Sequence, residues 1–317
     1  MKVIEYIQRS NATMVSFEIL PPMKGRSIQS IYDTLDPLME FKPPFINVTY
    51  HRAEYIYKRN REGLFEKTII RKRPGTVGIC AAIVNKYHVD AVPHMVCGGF
   101  TKGETEDALI DLAFLGIDNI LIIRGDPNRN ENSFDPEPGG HAHAIDLMKQ
   151  AVNMNRGIFL EEDLSDVSPT NFCIGVAGYP EKHYEAPNMK MDLKYLKEKV
   201  DAGAQYVITQ MFFDNNKFFE FVNRCREIGI EVPIIPGIKP ITSKKQVNTL
   251  PRLFHVEVPE ELATELETTI TDEAARKVGI EWCIQQCREL VKANVPLLHF
   301  YTMSNPAPVK AVVSNVF

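Results

Sequence analysis

One module recurs along this chain and constrains its fold more than any other feature. It consists of an amphipathic stretch, a glycine, about three further residues and a short apolar run, and it spans residues 107–123, 193–208 and 218–235. In the second copy Leu193, Leu196 and Val200 recur at helical spacing, and Gly203 is the kind of residue that ends a helix. The runs are continuously apolar, as in parallel strands buried on both faces. The repetition predicts consecutive β/α units.

The same pattern, followed along the whole chain, gives eight candidate strands separated mostly by helical stretches. They are residues 14–17, 45–48, 91–96, 119–123, 171–176, 206–208, 232–235 and 297–300. The length of 317 residues fits two domains of about 150 residues as well as one barrel. Eight strands favour the barrel, and no G-x-G-x-x-G or P-loop string supports a doubly wound sheet. We therefore predict the α/β class, with residues 1–317 forming a single-domain (β/α)8 TIM barrel.

Two segments, at about 52–86 and about 253–268, do not follow this alternation of strands and helices. We interpret both as insertions around the barrel. The first is rich in arginine and lysine, and its residues 76–83 have the composition of an additional strand. No role is assigned to the basic insertion.

Charge and hydropathy exclude several classes of partner. The chain has 36 Lys and Arg against 41 Asp and Glu, a formal charge of −5, so no basic excess indicates nucleic-acid binding. Its longest apolar stretches, such as 77–84, are far shorter than the roughly 20 residues of a membrane span. Glu5 and Arg9 stand where a signal peptide would be apolar, so we expect a cytoplasmic protein.

No metal site is predicted. The six cysteines lack zinc-ligand spacing and are expected to be small buried apolar residues. His141 and His143 lie in a loop rich in proline and glycine without a third ligand nearby, so they are expected to face solvent or to touch a ligand.

Polar residues stand at the carboxyl ends of the predicted strands, where TIM-barrel enzymes carry their active sites. They are Glu18, Thr49, His94, Arg124, Asp126, Tyr179, Gln210 and Tyr301. Any one of them could simply cap a loop, because polar strand ends are common. Together they predict a single site at one barrel mouth.

Glu18 is the most informative of these residues. It follows an apolar strand and precedes Pro21 and Pro22, so a rigid, apolar environment with a raised pKa is expected, which suits a general acid. A structural ion pair with an arginine is the alternative. Arg124 and Lys199 are candidate anion ligands and Asp192 a candidate acceptor from ribose hydroxyls, although each could instead lie on a solvated helix face.

The string Val15-Ser16-Phe17-Glu18-x-x-Pro21-Pro22 resembles the N-terminal signature of the methylenetetrahydrofolate reductases. Further landmarks of that family follow in order and reach residue 302. They are residues 47–50, 93–97, 124–126, 177–183, 201–204, 209–214, 235–238 and 298–302. The chain ends soon after the predicted barrel, so it resembles the short bacterial form without the regulatory domain that binds S-adenosylmethionine in longer eukaryotic members.

The resemblance implies a barrel with non-covalent FAD, which NADH or NADPH reduces and 5,10-methylenetetrahydrofolate reoxidises in a ping-pong sequence. The product, 5-methyltetrahydrofolate, would supply methyl groups for methionine synthesis. By the same resemblance Glu18 is the catalytic acid, Asp126 acts beside the flavin and pterin, and Gln210 orients folate and nicotinamide, with Tyr301 also binding substrate. The implied FAD-binding residues are Thr49, His94, Arg124, Gly125, Asp126, His143, Ala144, Tyr179, His183, Asp192 and Lys199. A homo-oligomer is expected.

Two departures from the family pattern concern ligand contacts. Asn305 stands where bacterial relatives often place an arginine, which removes a candidate folate or phosphate contact, and Leu250 stands where an aromatic residue can cover the nicotinamide. Two other readings stay open: another flavin- or folate-dependent barrel enzyme, and a flavin-binding protein without catalysis.

Overall fold

The computed structural model describes residues 1–127, 131, 133–303 and 305–317, and eight parallel strands form a closed barrel in it. These strands are β1 (Met14–Ile19), β2 (Phe45–Val48), β5 (Asp90–Val96), β6 (Asn119–Ile123), β7 (Cys173–Gly178), β8 (Tyr206–Met211), β9 (Ile234–Ile238) and β10 (Leu297–Tyr301). Their order around the barrel is β1-β10-β9-β8-β7-β6-β5-β2. The predicted TIM barrel is confirmed, and each of the eight predicted strands overlaps an observed one.

Helices surround the barrel and follow most of its strands. They are α1 (Val3–Arg9), α2 (Gln29–Leu35), α3 (Thr76–Tyr87), α4 (Lys102–Phe114), α5 (Ala144–Met154), α6 (Met189–Asp201), α7 (Asn215–Glu227), α8 (Gln246–Phe254), α9 (Glu260–Thr268), α10 (Asp272–Lys292) and α11 (Pro306–Val316). A 3₁₀ helix, Asp36–Phe41, continues α2. Within the described ranges, no helix is both long and apolar enough to cross a membrane.

The alternation of side chains along each strand divides the core into two layers. In β6, Ile120 and Ile122 pack outward against the helices, whereas Leu121 packs inside the barrel. The interior is tight enough that a Cβ at Gly175 would lie 2.2 Å from the Tyr206 ring, so this position requires glycine. Helix α1 contributes Val3 to the interior cluster and so closes the end of the barrel opposite the mouth.

The prediction of a strand at residues 76–83 is wrong, because these residues begin α3, the barrel helix between β2 and β5. Short apolar runs fit a buried strand and a buried helix equally well. Here Ile79, Cys80 and Ile83 are buried and share one helical face, while Gly78 is exposed. The extra strands of this segment lie earlier, in an antiparallel hairpin of β3 (Glu54–Arg59) and β4 (Phe65–Ile70). Residues 253–268 contain the end of α8 and the whole of α9.

Two expectations about cysteine and histidine have different outcomes. All six cysteines are free and buried, as predicted. His141 does not face solvent: it is 5% exposed, and its Nε2 is hydrogen-bonded to Oε1 of Gln150 on α5. His143 is exposed and lines a cavity described below.

Candidate functional site

Strand pairing brings the first group of polar side chains together at the barrel mouth. In the register of β1 with β10, Ser16 pairs with His299 and Glu18 with Tyr301. Glu18 also pairs with Asn47 on β2. Side chains two residues apart on a strand point to the same face, so Ser16 and Glu18 both point into the barrel.

Five side chains form a compact polar group that we call the Glu18 cluster: Ser16, Glu18, Asn47, His94 and His299. Oε2 of Glu18 lies 3.3 Å from Nε2 of His94 and 3.6 Å from Nε2 of His299. Behind them, Nδ1 of His299 is 2.7 Å from Oγ of Ser16, and Nε2 of His94 is 3.4 Å from Nδ2 of Asn47. The Glu18 side chain is only 12% exposed, so the cluster is almost closed to water.

The expectation of a raised pKa for Glu18 is wrong. Burial favours the neutral carboxyl, but the charge of His94 and the close approach of the His299 and His94 imidazoles outweigh it and lower the pKa to about 2. Burial also lowers the pKa of His299, although Glu18 opposes that shift. Glu18 is therefore a carboxylate held between two imidazoles, neither in an apolar environment nor in the alternative pair with an arginine.

The remaining predicted catalytic and substrate residues lie around the same mouth. Asp126 is exposed after β6 and lines, with Gly125, a cavity of about 490 Å³ that we call the Asp126 cavity. Oε1 of Gln210 accepts a hydrogen bond from the Met211 N–H at 2.9 Å. The Tyr301 hydroxyl donates to the Thr209 carbonyl at 2.7 Å.

A second group of predicted residues lines a separate cavity of about 440 Å³, which we call the Arg124 cavity. Seven residues implied to bind FAD meet there: Arg124, His143, Ala144, Tyr179, His183, Asp192 and Lys199. Thr49 and His94 do not line it and belong to the mouth beside Glu18. The sequence therefore predicted the members of this cavity but not that they lie apart from Thr49 and His94.

Burial controls the charges within the Arg124 cavity. Lys199 Nζ donates to the Ala177 carbonyl at 3.2 Å, and burial lowers its pKa to about 8 although Asp192 opposes the shift. Burial lowers the pKa of His183 to about 4, so this imidazole is neutral at pH 7. The backbone N–H of His183 donates a hydrogen bond to Oδ2 of Asp192 at 2.9 Å, which connects the loop after β7 to α6.

Arg124 has an acidic partner that the sequence reading missed. Its guanidinium binds the Glu185 carboxylate through both terminal nitrogens, with Nη2 2.8 Å from Oε1. The hydrogen bond from Arg124 is the main reason why the pKa of Glu185 falls to about 2. The only available signal was the position of Glu185 two residues after His183.

These groups fit a dinucleotide cofactor by their chemistry. Arg124 and Lys199 offer cationic donors to phosphates, and Asp192 offers an acceptor to hydroxyls. The rings of Tyr179 and His183 pack together with their centroids 4.7 Å apart. Closer to the mouth, the buried Thr49 hydroxyl has no hydrogen-bond partner among the described residues. Across that same part of the chain, no group of three or more His, Cys, Asp and Glu side chains is arranged to hold a metal ion.

The two family departures lie away from these cavities. Leu250 is 4% exposed and packs in an apolar cluster with Met211, Val247 and Leu262. Asn305 caps α11, and its side chain accepts a hydrogen bond from the Ala307 N–H at 3.3 Å.

Fold and site together define a (β/α)8-barrel protein that has a buried carboxylate–imidazole cluster and an adjoining cationic cavity at the carboxyl ends of its strands. The sequence model of the methylenetetrahydrofolate reductase family matches residues 3–316. The 5,10-methylenetetrahydrofolate reductase of Salmonella typhimurium is 32% identical over 291 residues, which cover 92% of this chain and 86% of the relative. The chain belongs to the methylenetetrahydrofolate reductase family, as its resemblance predicted.

Two longer relatives and one solved structure also resemble this chain. A probable methylenetetrahydrofolate reductase (NADH) from Oryza sativa is 31% identical over 329 residues, and a probable NADPH form from Caenorhabditis elegans is 31% identical over 316 residues. The alignments cover 100% and 99% of this chain, which spans about half the length of these relatives. A solved Clostridium thermocellum protein, described as binding two copies of 5-methyl-5,6,7,8-tetrahydrofolic acid, shares the fold with a TM-score of 0.56 and 12% identity, over 99% of this chain and 97% of that one.

Proposed function

We propose that this protein reduces 5,10-methylenetetrahydrofolate to 5-methyltetrahydrofolate, with bound FAD and with NADH or NADPH as electron donor. The observation that carries the proposal is the meeting of the Glu18 cluster, Asp126 and the Arg124 cavity at one mouth of a barrel of this family. Both donors stay in the proposal because the relatives named above include an NADH and an NADPH form.

The Glu18 cluster supplies the proton that this reaction needs. The five-membered ring of the folate opens only when a ring nitrogen is protonated, so a general acid must stand at the mouth. Glu18 is ionised at rest because two imidazoles face it, and we place the mobile proton in its pair with His94 at 3.3 Å. His299, whose other nitrogen is 2.7 Å from Ser16, orients the carboxylate from the opposite side.

The Arg124 cavity would hold the nucleotide part of FAD. Arg124 and Lys199 would bind its phosphates, Asp192 would accept from ribose hydroxyls, and Thr49 and His94 would contact the ring system near the mouth. When bound, the flavin would take two electrons from the nicotinamide and give them to the folate. Since the Glu185 carboxylate already binds the Arg124 guanidinium, an incoming phosphate must either displace this carboxylate or share the guanidinium with it.

Three residues at the mouth have roles toward the substrates. Asp126 places a carboxylate beside the ring system, where its charge disfavours additional negative charge. Gln210 and Tyr301 orient folate and nicotinamide, and Tyr301 is itself fixed by its bond to the Thr209 carbonyl.

The direct test is the spectrum and activity of the purified protein. We expect flavin absorption bands, release of the flavin into the supernatant on acid precipitation, and oxidation of NADH or NADPH that depends on 5,10-methylenetetrahydrofolate. Flavin that remains on the pellet would contradict the non-covalent site. A yellow protein that does not reduce this folate would favour another flavin-dependent barrel enzyme, and a colourless folded protein that takes up no FAD would contradict the proposal as a whole.

A further inference from the structure

A third cavity, of about 520 Å³, opens at the amino-terminal end of α3. Its wall is largely apolar and includes Ile79 of α3, Ala108 of α4 and Met95 of β5. Tyr50 lines both this cavity and the Asp126 cavity, so the two adjoin at the barrel mouth. None of the roles proposed above uses the groups at this helix end.

The helix end that faces this cavity has no internal cap. The first backbone N–H groups of an α-helix have no partner within the helix and carry partial positive charge. At α3 the N-cap is Gly75, no side chain caps the helix, and no acidic residue lies in its first turn. Helix α4 contrasts with it, because there Thr101 and Glu104 form a complete capping box.

A largely buried threonine at the same place presents a hydroxyl to the cavity. Thr76, the first residue of α3, is only 4% exposed and lines the cavity. Its hydroxyl makes no hydrogen bond to any residue that the structure describes. Thr76 is almost fully buried and lines this cavity, so its hydroxyl is available to a ligand that enters there.

Two guanidinium groups surround this end of the helix. Nη2 of Arg71 lies beside the N-cap Gly75, so close that a Cβ on this glycine would be 2.5 Å from it. Arg26 lines the same cavity. Neither arginine has an acidic partner within 4 Å among the described residues, and no lining residue is acidic. Both arginine side chains are exposed, and cations are unfavourable at the positive end of a helix, so an anion bound between them would stabilise this arrangement.

We infer that this cavity, the Arg71 cavity, binds the anionic tail of a substrate, with an aromatic group against its apolar wall. The inference rests on the proposed function, which supplies two substrates of that chemistry. One is the folate, whose aminobenzoyl ring is followed by glutamyl carboxylates; the other is the nicotinamide dinucleotide with its phosphates. In either case Arg71, which directly follows the β3–β4 hairpin, gives the basic insertion a role in binding.

Direct binding tests the subsite without catalysis. Calorimetry on the protein as purified would use two probes, p-aminobenzoyl-tri-γ-glutamate and inorganic pyrophosphate. Because Arg71→Gln removes one charge-assisted hydrogen bond, we expect it to weaken the binding of the preferred probe by about tenfold or more. Thr76→Val keeps the shape of the side chain and should weaken it severalfold. Arg61→Gln removes the same charge from the exposed hairpin turn and should bind like the wild type.

Steady-state kinetics distinguishes the two sources. If the carboxylates occupy the cavity, Arg71→Gln raises KM for the folate by about tenfold or more and leaves KM for the dinucleotide unchanged; if the phosphates do, the reverse holds. The inference is overturned if the wild type binds neither probe, or if both Arg71→Gln and Thr76→Val bind like Arg61→Gln. Probe binding that is lost in Arg71→Gln, in a protein that reduces no folate, would support the subsite and contradict the proposed function instead.

Discussion

The Glu18 cluster and the Arg124 cavity lie at the same barrel mouth but are built in opposite ways. In the cluster the charged and polar groups face one another at hydrogen-bond or near-contact distances, with His299 fully buried. In the cavity the charged groups line about 440 Å³ of open space, and among the described residues the Lys199 ammonium donates to a backbone carbonyl. A compact group is suited to hold and deliver a proton, whereas an open one can exchange its internal partners for a ligand. The difference indicates separate tasks, and each prediction below changes one region while the other is measured.

The largest effect is expected from Glu18→Gln. A positioned general acid is typically worth 10²–10⁴-fold in rate, about 3–5 kcal/mol of barrier, and glutamine keeps the size of the side chain but cannot transfer a proton. We expect reduction of the folate to slow by at least about a hundredfold. Reduction of the flavin by the nicotinamide should stay near the wild-type rate, because that step needs orientation rather than this proton. Stopped-flow absorbance of each half-reaction measures both rates.

The matched control is Glu66→Gln, the same change on the exposed face of the hairpin, which should alter neither rate. Equal losses in both half-reactions of Glu18→Gln would mean that the Glu18 side chain maintains the fold or the flavin site. The acid would then have to be sought elsewhere, with His94 as the next candidate.

Lys199→Met tests the Arg124 cavity and should have the next largest effect. A charge-assisted hydrogen bond to phosphate is worth about 1.5–3 kcal/mol, which corresponds to roughly 10–100-fold in the dissociation constant for FAD. With the flavin saturating, folate reduction should recover, since the Glu18 cluster is intact. Fluorescence of released flavin gives the dissociation constant.

Lys197→Met on the same helix is the control for this substitution. Lys197 pairs with Asp201 on the outer surface of α6, so its replacement should leave the affinity for FAD unchanged. If Lys199→Met binds FAD as tightly as Lys197→Met, the cavity does not hold the phosphates.

The two regions also differ in how far the sequence predicted them. The members of the Arg124 cavity could be named in advance because they stand at strand ends and in motifs that the family resemblance covers. The same reasoning found Glu18 and His94. Barrel topology then explains why these residues share one mouth, because the carboxyl ends of all parallel strands meet there.

What the sequence could not supply depends on contacts between distant residues. The low pKa of Glu18 depends first on the charge of His94 on β5 and then on His299. The latter stands 281 residues after Glu18, and the β1–β10 register brings the two together. The pairing of Arg124 with Glu185 likewise depends on how the loop after β7 folds back. The error at residues 76–83 has a local cause, since an eight-residue apolar run does not distinguish a strand from a helix.

Asp126→Asn probes the Asp126 cavity, at the same barrel mouth as both regions. Removal of a negative charge beside the electron-accepting ring should stabilise the reduced flavin. We expect the reduction potential to rise by about 30 mV or more, roughly 1.4 kcal/mol for a two-electron couple, and folate reduction to slow while FAD stays bound. Redox titration against a reference dye measures the potential. A variant with both potential and folate turnover unchanged would remove Asp126 from the site.

The smallest expected effect is a pH dependence that belongs to the Arg124 cavity alone. Burial lowers the pKa of Lys199 to about 8, so the ammonium is present at pH 7 and is largely lost by pH 10, whereas Arg124 stays charged. The affinity for FAD should therefore be constant below about pH 7 and fall, by up to about tenfold, as the pH rises through 8. In Lys199→Met this step should be absent, while Glu18→Gln should keep it, because the Glu18 cluster has no part in holding phosphates. A step that persists in Lys199→Met, or disappears in Glu18→Gln, would show that the two regions do not act separately.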